Sequence, residues 1–228
     1  IIKKIATGIG STTATTPGCA ATPCPSGLSQ LTAYAPKGYT NNMATYLYGG
    51  DLYGNLWRID ISALTASGGT ATVQLLATLT NAAGTRQAVT SKPVVAVVNG
   101  SMMLFVGTGA LLGLSDVSNL TTNSIYAVKD TLGTSAAATG LWGNPRATPC
   151  TATVTTNCFY AQTLTDNSGT RTVGSPLSYK VDLSKMNGWY ADMPQSGERI
   201  TNDIDVQLST VIFTSNILNS GSVCSTGG

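Results

Sequence analysis

The sequence predicts an all-β chain of short strands. Apolar runs of strand length recur along it, each is bounded by Gly, Asn, Asp, Ser or Pro, and the 3.6-residue period of an amphipathic helix is hard to find anywhere. Composition agrees: only 10% of the 228 residues are charged, against roughly 25% in ordinary globular chains. Thr, Ser, Ala and Gly stand where Lys and Glu usually do, the pattern of a secreted or surface β protein. An apolar fraction of 42% argues against disorder.

In chain order the strand candidates are "TYLYGG" from Thr45, "NLWRIDI" from Asn55, "TVQLLATL" from Thr72, "KPVVAVVNG" from Lys92 and "SMMLFVGTG" from Ser101. "NSIYAVKD" from Asn123, "NCFYAQTL" from Asn157, "GWYADM" from Gly188 and "STVIFTSNI" from Ser209 complete the set. Lengths this short favour antiparallel neighbours joined by tight turns. The first two form one hairpin, with Gly54 and Asn55 in the turn after Gly50 and Asp51. Strand alternation then puts Leu56 and Arg58 on a mixed face, and Trp57 and Ile59 on an apolar one. Trp57 is expected in the core.

The hairpin has a second copy. Gly107-Thr108-Gly109 ends a strand as Gly50 does, and "SIYAVKD" answers "NLWRIDI", so Trp57 corresponds to Tyr126 and Asp60 to Asp130. A third copy begins at Ser209. The spacing of the two full copies exceeds the roughly 40 to 50 residues of a regular propeller blade, so insertions are expected.

Five cysteines are present. Cys19 with Cys24 and Cys150 with Cys158 read as local disulfides, the second pair bracketing a hairpin or long loop, because C-x4-C and C-x7-C lack the tighter spacing of metal or redox pairs. Cys224 is left unpaired, or paired outside the chain. Histidine is absent, which removes Ser-His-Asp and Cys-His relays and imidazole metal sites. The net charge of +2 comes from scattered residues and offers nucleic acid no basic patch. No apolar run reaches the ~18 residues that span a bilayer, and the start "IIKKIATGIG" lacks a signal-peptide pattern, so any targeting signal is expected outside the chain.

"YGGDLYGNLWRIDI" closely resembles the signature of the PilY-type proteins of type IV pilus biogenesis, and three further stretches follow in that family's order. These are "KPVVAVVNGSMMLFVGTG", "NSIYAVKD" and "GWYADMPQSGERITND" with "VIFTSNI" after it. The resemblance implies a quinoprotein-like β-propeller, with residues 1–228 forming part of a single C-terminal propeller domain cut at both ends. It implies a secreted protein at the pilus tip or cell surface that acts in pilus assembly and adhesion through contacts with minor pilins or surfaces. Gly50, Asp51, Gly54, Asn55, Trp57, Asp60, Gly107, Gly109, Tyr126 and Asp130 are then blade-building residues. Many relatives carry an Asp-rich calcium loop just before the first motif, but "GYTNNMATY" has no carboxylate there, so calcium is not carried over and no cofactor is expected.

Enzymatic alternatives are weaker. A quinoprotein dehydrogenase needs a carboxylate-held calcium and a stacking platform, and the chain has ten acidic residues and no vicinal cysteines. Asp192, Glu198, Asp203 and Asp205 lie close in sequence, yet the Pro, Gly and Asn around them read as loop, and Arg199 beside Glu198 reads as a structural ion pair. No capped helix is expected after "GTGALLG", which argues against phosphate binding. The chain is expected to be non-enzymatic. An extracytoplasmic scaffold without adhesion is the alternative the sequence does not separate.

Overall fold

The computed structural model describes residues 3–9, 26–64, 68–134, 140–167, 170–208 and 210–217. Cys19, Cys24 and Cys224 lie outside these residues, so the expectations placed on them are not addressed by the structure.

Two sheets carry the fold. The first is an antiparallel meander of β1 (Thr32–Tyr34), β2 (Tyr46–Gly50), β3 (Asn55–Asp60) and β4 (Thr72–Thr78). The second contains β5 (Val94–Val98), β6 (Ser101–Gly107), β7 (Ser124–Lys129), β8 (Phe159–Asn167), β9 (Thr170–Gly174) and β10 (Gly188–Asp192), in the order β5-β6-β7-β10-β8-β9. A separate hairpin joins β11 (Asp205–Gln207) to β12 (Thr210–Ile212). All nine expected runs contain a strand. One pairing departs from the expected antiparallel pattern: β10 inserts between β7 and β8, antiparallel to the first and parallel to the second. The connection of residues 175–187 after β9 carries the chain across β8, so that β10 joins the sheet on the other side of β8.

Alternation in β6 and β7 places side chains in two different cores. Leu104, Val106, Tyr126 and Val128 pack against Tyr48, Leu56 and Leu76 of the first sheet. Met103, Phe105, Ile125 and Ala127 face the other way, toward Met193, Ile200 and Ile204. Both faces are therefore covered, which accounts for the near-continuous apolar run of β6. The same holds for β3: Arg58 is buried alongside Trp57, so the face that mixes Leu56 with Arg58 is covered as well as the apolar one. A register shift between Leu56 and Trp57 against β4 adds a bulge at that point.

A third, smaller core surrounds the disulfide between Cys150 and Cys158, packed with Tyr160 and Met186. The residues between the two cysteines form a loop with no strand pairing of their own, which settles the choice between hairpin and loop.

Candidate functional site

The motif residues converge at the corner where β2 turns into β3. Asp51 is fully buried, and its carboxylate accepts four hydrogen bonds. Oδ1 takes the Tyr53 and Asn55 backbone N–H groups at 2.9 Å each, and Oδ2 takes Asn55 Nδ2 at 2.9 Å and the Trp57 indole N–H at 3.0 Å. A carboxylate so surrounded is satisfied inside the protein. Asn55 passes the network on, its Oδ1 accepting from Arg86 at 3.0 Å. The turn proper is Leu52–Gly54, closed by Gly54 N–H donating to Asp51 O, and Asn55 is the first residue of β3 rather than a turn residue. Gly54 has φ +71°, and a Cβ there would lie 2.6 Å from Leu79 O and 2.7 Å from Gln87 O. Trp57 is in the core as expected; its tie to Asp51 was not legible in the alternation.

The β6–β7 corner repeats this architecture with different residues. Gly50 pairs with Leu56, and Gly107 with Ile125, so Trp57 and Tyr126 occupy equivalent positions. Thr108 takes the place of Asp51: its Oγ1 accepts Ser124 N–H at 2.7 Å as Asp51 Oδ1 accepts Asn55 N–H. Val89 donates its N–H to Asp51 O and Ile200 donates to Thr108 O, and each packs where the preceding glycine has no side chain, Gly50 and Gly107 respectively. One link occurs three times: Leu52 N–H to Ser26 O at 2.9 Å, Gly109 N–H to Ala88 O at 2.7 Å, and Asn216 N–H to Arg199 O at 2.7 Å. The third joint involves the segment read as the start of a third copy.

The register corrects one expected equivalence. Asp60 pairs with Tyr46, and the matching residue of β7 is Lys129, paired with Met103. Asp130 matches Ile61, because the second copy has one more residue before its aspartate. One residue changes the face. Asp60 stays at the surface and accepts from Ser62, whereas Asp130 is buried between the sheets. There its Oδ1 receives Arg58 Nη1 at 2.6 Å and its Oδ2 receives the Tyr48 hydroxyl at 2.8 Å. Arg58 also donates to Gly133 O at 2.8 Å. Burial, together with the charge on Asp130, raises the Tyr48 pKa far above its ordinary value.

A second polar clasp lies at the other end of β7. Arg146 forms an ion pair with Asp192, donates to Ser124 Oγ at 2.9 Å and to the Tyr126 hydroxyl at 2.8 Å, and stacks 4.2 Å from the centre of the Tyr190 ring. The Tyr126 hydroxyl in turn donates to Thr80 O. Burial pushes the pKa of Tyr126 up to about 12, although Arg146 acts in the opposite direction.

The acidic residues close in sequence do not form a paired-carboxylate site. Asp192 is held by Arg146, Asp203 accepts from Lys92 N–H, and Asp205 from Gln207. Glu198 pairs with Arg171 at 3.1 Å and accepts from Ser215, so the expected Glu198–Arg199 ion pair is not formed. Arg199 instead turns away into the protein. Its guanidinium donates to Ala110 O and Asp116 O at 2.7 Å and to Asn119 O, and its Nε donates to Gly197 O. Adjacent side chains of an extended segment point to opposite sides, which separates the two charges.

Arg199 thus anchors residues 109–123, the loop between β6 and β7. Against expectation, a one-turn helix α1 (Leu114–Val117) follows "GTGALLG", with Asp116 accepting from Leu112 and Gly113 N–H. Between this loop and the Leu52–Gly54 turn lies an open cavity of about 520 Å³, lined among others by Arg86, Gln87, Asn119 and Asn123.

Asn41 Oδ1 accepts Met43 N–H, and residues 38–45 contain no carboxylate. Among the described residues, no helix is long and apolar enough to cross a membrane.

No protein-family model and no curated protein sequence matches the chain. Among solved structures it is similar to the Pseudomonas aeruginosa PilY1 C-terminal domain, with a TM-score of 0.58 and 21% sequence identity over 82% of this chain. The match covers 44% of that solved chain, so the present chain spans less than half its length. The likeness shows that the all-β chain shares the fold of that domain over the matched part.

Proposed function

We propose that the chain is part of a PilY-type β-propeller that acts outside the cytoplasm in type IV pilus biogenesis and tip-associated adhesion, through contacts with minor pilins or surfaces and without catalysis. The observation that carries this reading is the shared fold with the PilY1 C-terminal domain. Two features support it. The thrice-repeated strand-end link fastens the end of a strand to a segment earlier in the chain at each copy, a regularity that fits the repeated units of a propeller. The disulfide between Cys150 and Cys158 fits an oxidising compartment outside the cytoplasm.

The motif residues support a scaffold role rather than a reaction. Asp51, Arg58, Asp130, Arg146 and Asp192 are all engaged in buried or half-buried contacts that join strands and sheets. The test is co-purification of the tagged chain with each minor pilin of its own bacterium, made in the periplasm of a host without pili. Retention of at least one minor pilin at high salt is expected. Recovery of none of them would count against the tip-complex reading.

A further inference from the structure

We propose that the free edge of β12, with the cavity beside it, accepts one antiparallel strand of a partner protein, and that this strand carries Leu or Ile, then Trp or Tyr, then any residue, then Ile or Val. The proposal rests on the repeated units alone and is independent of the pilus reading.

Three units share one register. The strand-end link is accepted by Ser26, Ala88 and Arg199 and donated by Leu52, Gly109 and Asn216. The first strand pair of each unit matches as well: Thr32 pairs with Tyr48, Val94 with Phe105 and Asp205 with Ile212. In every unit the first of the pair lies six residues after the link's acceptor, and the second lies four before its donor. β12 is therefore the counterpart of β2 and β6. Those two strands carry a third strand on their other edge, β3 and β7 respectively. Among the described residues, β12 carries none.

Main-chain alternation shows which groups this leaves over. Ile61 N–H donates to Thr45 O and Asp51 N–H to Asn55 O, so residues 45, 47, 49 and 51 face β3. Asp130 N–H donates to Met102 O and Thr108 N–H to Ser124 O, which turns residues 102, 104, 106 and 108 toward β7. Their counterparts on the third unit include Val211 and Phe213, whose N–H and C=O groups point away from β11. An unpaired strand edge is a template for another strand, and proteins blunt it with charge, proline or a cover. The edges of β4 and β9 are treated in this way: Leu141 and Trp142 donate to Leu75 O and Leu76 O of β4, and β9 carries Arg171. Residues 210–217 contain no proline and no charged residue.

The cavity and the repeat together define what the strand carries. Val211 and Phe213, with Ile125, Trp189 and Ala191 of the second sheet, line a space of about 220 Å³ that no charged side chain enters. That is below the roughly 300–1,000 Å³ of a small-molecule pocket. The preceding junction shows the filling. Ile125 is the counterpart of Leu56, and Leu56 lies in one core with Tyr126 and Val128 of β7. Val106, opposite Tyr126, is fully buried there, whereas Phe213 is half-buried. Both existing third strands present the same pattern at this register, Leu56-Trp57-Arg58-Ile59 and Ile125-Tyr126-Ala127-Val128. The aromatic residue stands opposite Gly49 or Val106, the counterparts of Phe213. Residues 218–228 contain no aromatic residue, so they do not supply the pattern. Main-chain bonds to the edge would give affinity, and the alternate side chains in the cavity specificity.

The test uses synthetic peptides with the chain's own third-strand sequences, residues 54–62 and 123–131, labelled with fluorescein and titrated into the full chain. A control peptide has Tyr126 and Ala127 exchanged, which moves the ring to the other face. Binding is measured by anisotropy and located by amide hydrogen exchange. Both native-sequence peptides should bind, and the exchanged one at least about tenfold more weakly. Exchange should slow at Val211 and Phe213 while β6 is unaffected. Val211→Pro removes one outward N–H, a change that strand edges accommodate, and should weaken binding about tenfold. If that variant melts below the native chain, the exchange pattern of the native chain decides. No binding, equal binding of the exchanged peptide, or protection away from Val211 and Phe213 would overturn the proposal. Slow exchange of these two amides in the free chain would show that the chain fills its own edge, and a dimer in sedimentation velocity that the peptide dissolves would show that a second copy does. Either result would overturn the partner strand.

Discussion

Arg58 and Asp130 show how single side chains join the two sheets. Arg58 leaves β3 of the first sheet, Asp130 follows β7 of the second, and their side chains are 5% and 0% exposed where they meet. Each charge is tolerable there only because the other is present. Arg58→Ala or Asp130→Ala is therefore expected to cost about 3–5 kcal/mol in urea unfolding, and Arg58→Met/Asp130→Leu less than either single change. Additive losses in the double variant would mean that the pair is not coupled. The buried tyrosines set the response to alkali. Tyr126 has a pKa of about 12 against 10.0 in the unfolded chain, and burial raises Tyr48 and Tyr190 as well. A raised folded pKa means that stability is intact below pH 10 and is lost as the pH climbs through the folded value. For Tyr126 the loss is on the order of 3 kcal/mol. Melting temperature followed with tyrosinate absorbance should fall between pH 10 and 12, and Tyr126→Phe should flatten that fall.

At the scale of elements, the strands that could be read were those with apolar alternation or continuous apolar runs. β1, β9 and β11 escaped because three-residue strands and Thr-rich edges carry no such signal. The parallel β8–β10 pairing escaped for a different reason: it depends on where a long connection returns, which local periodicity does not encode. "GERI" illustrates the same limit. Neighbours in sequence looked like an ion pair, but Glu198 reaches Arg171 on β9 and Arg199 reaches carbonyls some eighty to ninety residues earlier. The anchor gives its own test. Arg199→Lys keeps the charge but not the planar fork, so amide hydrogen exchange should quicken across residues 110–120 while β6 and β7 stay protected, with a stability loss on the order of 2 kcal/mol. Uniform deprotection of both strands would show that Arg199 supports the sheet rather than the loop.

For the whole molecule, the first two copies were legible because Gly50 and Gly107 end their strands alike and aromatic residues follow at matching positions. The capping pair was not, since Asp51 and Thr108 share a hydrogen bond but no chemistry that a sequence comparison would align. Nor was the step from Asp60 to Asp130, where one added residue moves a carboxylate from the surface to the sheet junction. The strand-end links at Leu52, Gly109 and Asn216 make the copies successive units of one architecture, and the fold is shared with the PilY1 C-terminal domain over the matched part. The most direct measurement is the number of surface pili, by electron microscopy, on a strain of the native bacterium lacking the gene, with and without a plasmid copy. Loss of pili that the plasmid restores is the expected result, and unchanged piliation would contradict the proposed function.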